Sequence, residues 1–208
     1  MPDDHDAASA AHEADRILDA ALRLAEVHGW DALHLYEVAE DLGLSLSAIH
    51  QHFRQKDDLA EAWFDRADRV LLAVPERPGW AALPPRERLY QAIMAWLDAL
   101  HPHRRSTRAM LGYKLHHEHV HLQLHGLTRI SRTVQWIREA ALLPNTGMRQ
   151  EIEEGVLTGI YLATFSRWLR DDSPDSAAAQ KRLQRLLQSA EQVATGPGRW
   201  LPGSAAES

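Results

Sequence analysis

The 208-residue chain contains no cysteine. That excludes disulfides, cysteine–zinc sites, iron–sulfur clusters and thiol catalysis. No apolar run approaches the roughly 18 residues a bilayer span requires. The start, MPDDHDAASAAHEAD, lacks the basic opening and apolar stretch of a secretory signal. Together these predict a cytoplasmic protein without membrane insertion. Alternating β-branched runs and internal repeats are also missing. So are G-x-S-x-G, a Gly-rich phosphate loop and H-E-x-x-H. No enzymatic chemistry and no cofactor is therefore expected. Cations are scarce as well: the net charge of −6 gives no general affinity for nucleic acid.

What the chain does have is helical periodicity, and the expected fold class is all-α. Residues 1–10 are small and polar and are expected to be disordered, as is the Gly/Pro/Ser/Ala-rich tail 196–208. From Ala11, apolar residues recur at helical spacing through Ile17, Ala21, Leu24 and Ala25, and Gly29 ends that helix. A short helix follows over Leu35–Leu42, and Gly43 breaks it. Ser45 can cap the next, Leu46–Phe53. A fourth runs from Asp57 or Asp58 to about Val74, with Leu59, Trp63, Ala67, Val70 and Leu71 inward. Pro75 to Pro85 reads as a connector. Further helices fit Pro85–Leu100, Ser106–His116, Glu118–Leu143, Met148–Asp171 and Asp175–Ala194.

Two short helices joined by Gly43-Leu44-Ser45 have the spacing of a helix-turn-helix. The second would place Ser45, Ser47, His50, Gln51 and Arg54 outward and Leu46, Ile49 and Phe53 inward. Serine, glutamine and histidine can donate or accept at base edges and phosphates. A helical hairpin in a bundle has the same spacing, so spacing alone leaves both readings open.

The run ILDAALRLAEVHGWDALHLYEVAEDLGLSLSAIHQHFRQKDDL, Ile17 to Leu59, resembles the N-terminal domain of TetR-type transcriptional repressors. The shared features are the amphipathic first helix, Gly29-Trp30, Val38-Ala39, the Gly43-Leu44-Ser45 turn, and Phe53, Lys56 and Leu59. The resemblance implies a DNA-binding head over 11–56 and a ligand-binding, dimerising body over 57–195. It implies a homodimer acting as repressor on double-stranded DNA and a hydrophobic small-molecule ligand of unknown identity. It places Ser45, Ser47, Gln51 and His52 toward DNA. His50 stands where the family has a phosphate-contacting tyrosine, and Lys56 would hold a backbone phosphate. His34 and Tyr36 fall at positions near the backbone.

The charge of the head is unusual for that role. Met1 to Ala60 holds thirteen acidic residues against four basic ones, Arg16, Arg23, Arg54 and Lys56, for a net −9. DNA affinity rests largely on cations that displace condensed counterions. Binding is therefore expected to be weak and to strengthen toward pH 6, where histidines gain charge. A second resemblance rests on His28–Trp30, Leu42–Ser45 and GIYLATFSRWLRDDSPD at Gly159–Asp175. These stretches are similar to the TetR-like ubiquinone-biosynthesis accessory proteins, which share the fold and bind lipid. That resemblance implies an isoprenoid or ubiquinone-type ligand without DNA binding.

In the body, Trp63, Tyr90, Met94, Met110, Tyr113, Trp136, Tyr161 and Phe165 are candidate pocket residues, with simple core packing as the alternative. Gly155, Gly159 and Ala163 recur every four residues and clear one helix face. By the TetR resemblance, the dimer seam falls on 148–171 and 175–194, with Leu183, Leu186, Leu187 and Ala190 as the apolar stripe of the second. His117, His121 and His125 share a helix face. Three residues at that spacing span about 12 Å, too far to grip one ion easily, and no metal site is assigned.

Overall fold

The computed structural model describes residues 3–116, 120–143 and 147–195, with side chains described for 8–112, 129–143, 153–173 and 175–194. The described residues are helical, with short 3₁₀ turns and no strand. None of their helices is long and apolar enough to cross a membrane.

The first helix, α1 (Asp3–His28), starts well before Ala11 and takes in residues 3–10, for which the composition predicts disorder. It buries Ile17, Leu18, Ala21, Leu22 and Ala25. It ends where Gly29 adopts φ +89, a left-handed conformation that disfavours any side chain. Helices α2 (Leu35–Leu42) and α3 (Leu46–His52) follow. Glu37 caps α2 by accepting from the His34 amide at 2.9 Å. Gly43, at φ +65, turns the chain between them, and Ser45 Oγ accepts from the Ala48 amide at 3.1 Å to start α3. Val38, Ala39, Ile49 and Phe53 close the head core. Leu46, expected to pack inward, is 55% exposed instead. It occupies the first position of a seven-residue helix whose burial falls on Ile49 and on the following Phe53.

Helix α4 (Lys56–Leu72) belongs to both halves. Asp58 caps it, accepting from the amides of Arg54 and Gln55. Its buried stripe runs through Leu59, Ala60, Trp63, Phe64, Ala67, Asp68 and Leu71. Val70, expected inward, lies off the edge of that stripe and is exposed, while Asp68 turns in because buried donors await it.

The proline-rich connector is docked onto the body. Trp80 is buried in a 3₁₀ turn and donates through Nε1 to the carbonyl of Ala140 at 2.8 Å. The body helices are α5 (Pro85–Leu100), α6 (Arg104–His116), α7 (Val120–Ala140), α8 (Gly147–Trp168) and α9 (Ala177–Thr195). Helix α5 packs on α4, and α8 pairs with α9. At the centre, Trp96 stacks on Phe64 and meets Tyr161 and Phe165 edge-on, with ring centroids 5.3–6.1 Å apart. Asp171 locks the α8–α9 turn by accepting from Ser173 and from the Ala179 amide. Burial alone would raise its pKa. The Ser173 hydroxyl and the backbone amides of Ala179 and Ser173 outweigh that and hold it below the ordinary carboxylate value.

Candidate nucleic-acid interface

The exposed face of α3 gathers Ser45, Ser47, His50 and Gln51, with Arg54 just beyond its end. The Ser45 oxygen that caps the helix still carries a proton to donate. His34 and Tyr36 are exposed beside them and stack on each other at 5.3 Å. These seven side chains form one outward polar surface around the turn.

Two other expected contacts are turned elsewhere. His52 lies mostly buried between α3 and α1, with Nε2 at 3.0 Å from Glu13 Oε2. Lys56 Nζ donates to the carbonyls of Trp30 and Asp31, both at 3.1 Å, and sits 5.8 Å from the Trp30 ring centroid. It ties the start of α4 to the α1–α2 link. Neither partner was visible in a local pattern, because each lies 25 residues or more away in the chain.

Pairing also tempers the acidity of the head. Arg66 on α4 binds Asp15 and Asp19 of α1, and Arg69 reaches Asp15. Burial lowers the Arg66 pKa, but the two aspartates outweigh it and raise the group above its ordinary value. Asp41 pairs with Arg23, while Glu37 and Asp58 are spent on helix caps. These carboxylates are thus engaged within the protein itself.

The chain is similar over most of its length to a solved protein, "TetR transcriptional regulator from Nitrosomonas europaea ATCC 19718", at 44% identity and TM-score 0.78, with 86% of this chain and 98% of that one covered. The chain belongs to the TetR family of transcriptional regulators. The family profile "Bacterial regulatory proteins, tetR family" matches residues 17–63, the head and the start of α4. Two further TetR structures share the fold. One is from Rhodococcus sp. RHA1 at 18% identity and TM-score 0.61, covering 86% of this chain and 95% of that one. The other is PfmR from Thermus thermophilus at 22% identity and TM-score 0.54, covering 83% of this chain and 97% of that one. No curated protein matches the chain. As a TetR-family member it is a DNA-binding transcriptional regulator, and the α2–turn–α3 unit is its helix-turn-helix.

In the body of this TetR-family regulator, Trp63, Met94, Met110, Tyr161 and Phe165 are buried in the core. Trp63 donates to Thr107 Oγ1 at 2.8 Å, and Tyr161 and Phe165 stack against each other. Burial raises the Tyr161 hydroxyl above the ordinary tyrosine pKa. Tyr90 is only part-buried and faces α9 near Gln180, beside a shallow cleft of about 300 Å³. Trp136, expected to join the group, lies 39% exposed on α7 because the inward face of that helix runs through Thr133, Val134, Ile137 and Arg138. The side chain of Tyr113 and those of His117, His121 and His125 lie outside the described residues.

The network between α4 and α7 escaped sequence reasoning. Asp68, almost wholly buried, accepts from Trp96 Nε1 at 2.7 Å, from Thr133 Oγ1 at 3.3 Å and from Arg129 Nη2 at 3.0 Å. Arg129 also pairs with Glu61 and Asp65. A signal existed: Glu61, Asp65 and Asp68 follow at i, i+4 and i+7, an acidic row beside the apolar stripe.

Proposed function

We propose that the protein is a cytoplasmic, ligand-responsive repressor that binds a pseudo-palindromic operator as a homodimer. The observation that supports it most directly is the capped α3 with Ser45, Ser47, His50, Gln51 and Arg54 exposed together. In this reading residues 11–56 are the DNA-binding head and 57–195 the ligand-binding and dimerising body. Ser47 and Gln51 read base edges, while Ser45, His34, Tyr36, His50 and Arg54 touch the backbone. Lys56 and His52 act one step back: Lys56 ties the start of α4 to the α1–α2 link, and His52 seats α3 on α1.

The dimer forms through α8 and α9, as 148–171 and 175–194 suggested. Gly155 and Gly159 face open space, and Val156 and Leu162 are exposed on the same helix. A bare, partly apolar helix face of this kind suits a close helix approach. Leu183 and Leu187 are buried within their own chain, so of that stripe Leu186 and Ala190, both part-buried, remain for the α9 share of the seam. The dimer sets two α3 helices about 34–36 Å apart, one turn of duplex. A hydrophobic effector binds one head spacing better than the other and shifts the population accordingly. The lipid-carrier alternative draws less support, since the aromatics that would line its tunnel pack against one another.

Gel-shift assays on DNA flanking the gene, at two salt concentrations, test this. Specific binding should be lost with Gln51→Ala, and log K should fall by about 0.9 per phosphate contact for each decade of salt. Equal binding to unrelated DNA, or none, overturns it.

A further inference from the structure

Arg138 is only 4% exposed, and both terminal nitrogens of its guanidinium are buried without a hydrogen-bond partner among the described residues. The fold treats its other enclosed arginines differently. Arg129, nine residues earlier on the same helix, is met by Glu61, Asp65 and Asp68. Arg104 is met by the Asp171 carbonyl, Ser176 and His101, and lies over the Trp168 ring. Around Arg138, the same helix supplies Val134 and Ile137, with Ala141 just past its end, all fully buried.

A guanidinium cannot shed its proton in a protein, so burial leaves it charged. An enclosed charge without a counter-ion is strongly unfavourable, and an apolar side chain of the same size would avoid the penalty. We infer that Arg138 anchors the carboxylate of an apolar effector acid. The two unpaired nitrogens form the end of the guanidinium fork, which matches the two oxygens of a carboxylate. A phosphate would call for further cations, and no other lysine or arginine lies within five residues of Arg138 in the chain. A protein partner is disfavoured too, because the group is enclosed within a single chain. The inference deepens the ligand-responsive reading and rests on it for any regulatory role.

The test uses the full chain without DNA, refolded from denaturant so that it carries no bound acid. Decanoate, benzoate and phenylacetate serve as probes, each against its neutral alcohol. For wild type, at least one acid should raise the melting temperature more than its alcohol and bind about tenfold tighter by calorimetry. Arg138→Met should erase that preference and, in the absence of acid, melt above wild type. Arg138→Lys keeps the charge but loses the fork, and should weaken the preference. The proposal is overturned if no acid outperforms its alcohol, or if Arg138→Met melts below wild type, which would mean the charge is already paired. A gel shift then separates the two readings. An acid that binds through Arg138 yet leaves DNA binding unchanged keeps the anchor and removes the regulatory role.

Discussion

Replacing Asp68 by alanine should be among the most damaging single changes in the body. The substitution removes the acceptor of the Trp96 indole, of the Thr133 hydroxyl and of one Arg129 nitrogen, all in a buried setting. Breaking a buried ion pair by deleting one partner costs about 3–5 kcal/mol. Arg129 keeps Glu61 and Asp65, which moves its share toward the lower figure. The stranded indole N–H adds about 1–3 kcal/mol. A net loss of about 4 kcal/mol, at roughly 2–4 °C per kcal/mol for a chain of this size, lowers the melting temperature by about 8–16 °C. Asp65→Ala is the internal control. Its side chain is 47% exposed, and an exposed pair is worth about 1 kcal/mol at most. Asp68→Asn should fall between, since it retains an acceptor for Trp96 while bringing an amide near Arg129. Thermal and urea unfolding of the three variants would settle the order. If Asp68→Ala and Asp65→Ala lose the same stability, the buried network has been misread.

Other outcomes follow from the same geometry. Gly159→Phe meets open space within the chain, so it should fold normally yet elute as a monomer; an unshifted dimer peak would move the seam elsewhere. Asp171 has a depressed pKa, so its contribution is present above the unfolded value near 3.8 and is lost as pH falls below it. Asp171→Asn should therefore cost about 2–4 kcal/mol at pH 7 and shrink the acid-induced loss, read by urea melts across pH 2–7. Asp98 behaves oppositely. Partial desolvation raises its pKa against the pull of His101, but the residue stands exposed on α5, so water screens the effect and Asp98→Asn should be neutral or slightly stabilising at pH 7. A clear destabilisation there would refute it. Glu13→Gln should weaken DNA binding without touching the α3 surface, because it loosens the His52 contact that seats α3 on α1; unchanged affinity would show that α3 needs no such brace.

The head was legible in the sequence because its information is local. Gly43, the Ser45 cap and the spacing of Val38, Ala39, Ile49 and Phe53 are read within about fifteen residues, and the structure uses each of them as expected. The small-residue face of α8 was legible for the same reason. The side chains of His52 and Lys56 were not, since the contacts that turn them inward come from α1 and from the α1–α2 link. Trp80 looked like part of a spacer, yet it docks on a carbonyl sixty residues on. Helical periodicity assigned the inward face of α4 but took Val70 for a core residue. Hydropathy cannot foresee that an aspartate will outcompete a valine when an indole, a hydroxyl and a guanidinium converge on it.

Arg66 fastens one flank of α4 to Asp15 and Asp19 of α1, and Arg129 of α7 grips Glu61, Asp65 and Asp68 on the other. Both clasps grip the same three turns. The joint between reading head and body therefore has no loop of its own in which a movement could be absorbed. A tilt of α7 would reach α1 across the thickness of a single helix, about 10 Å, and the angle at which the α3 surface is held would follow.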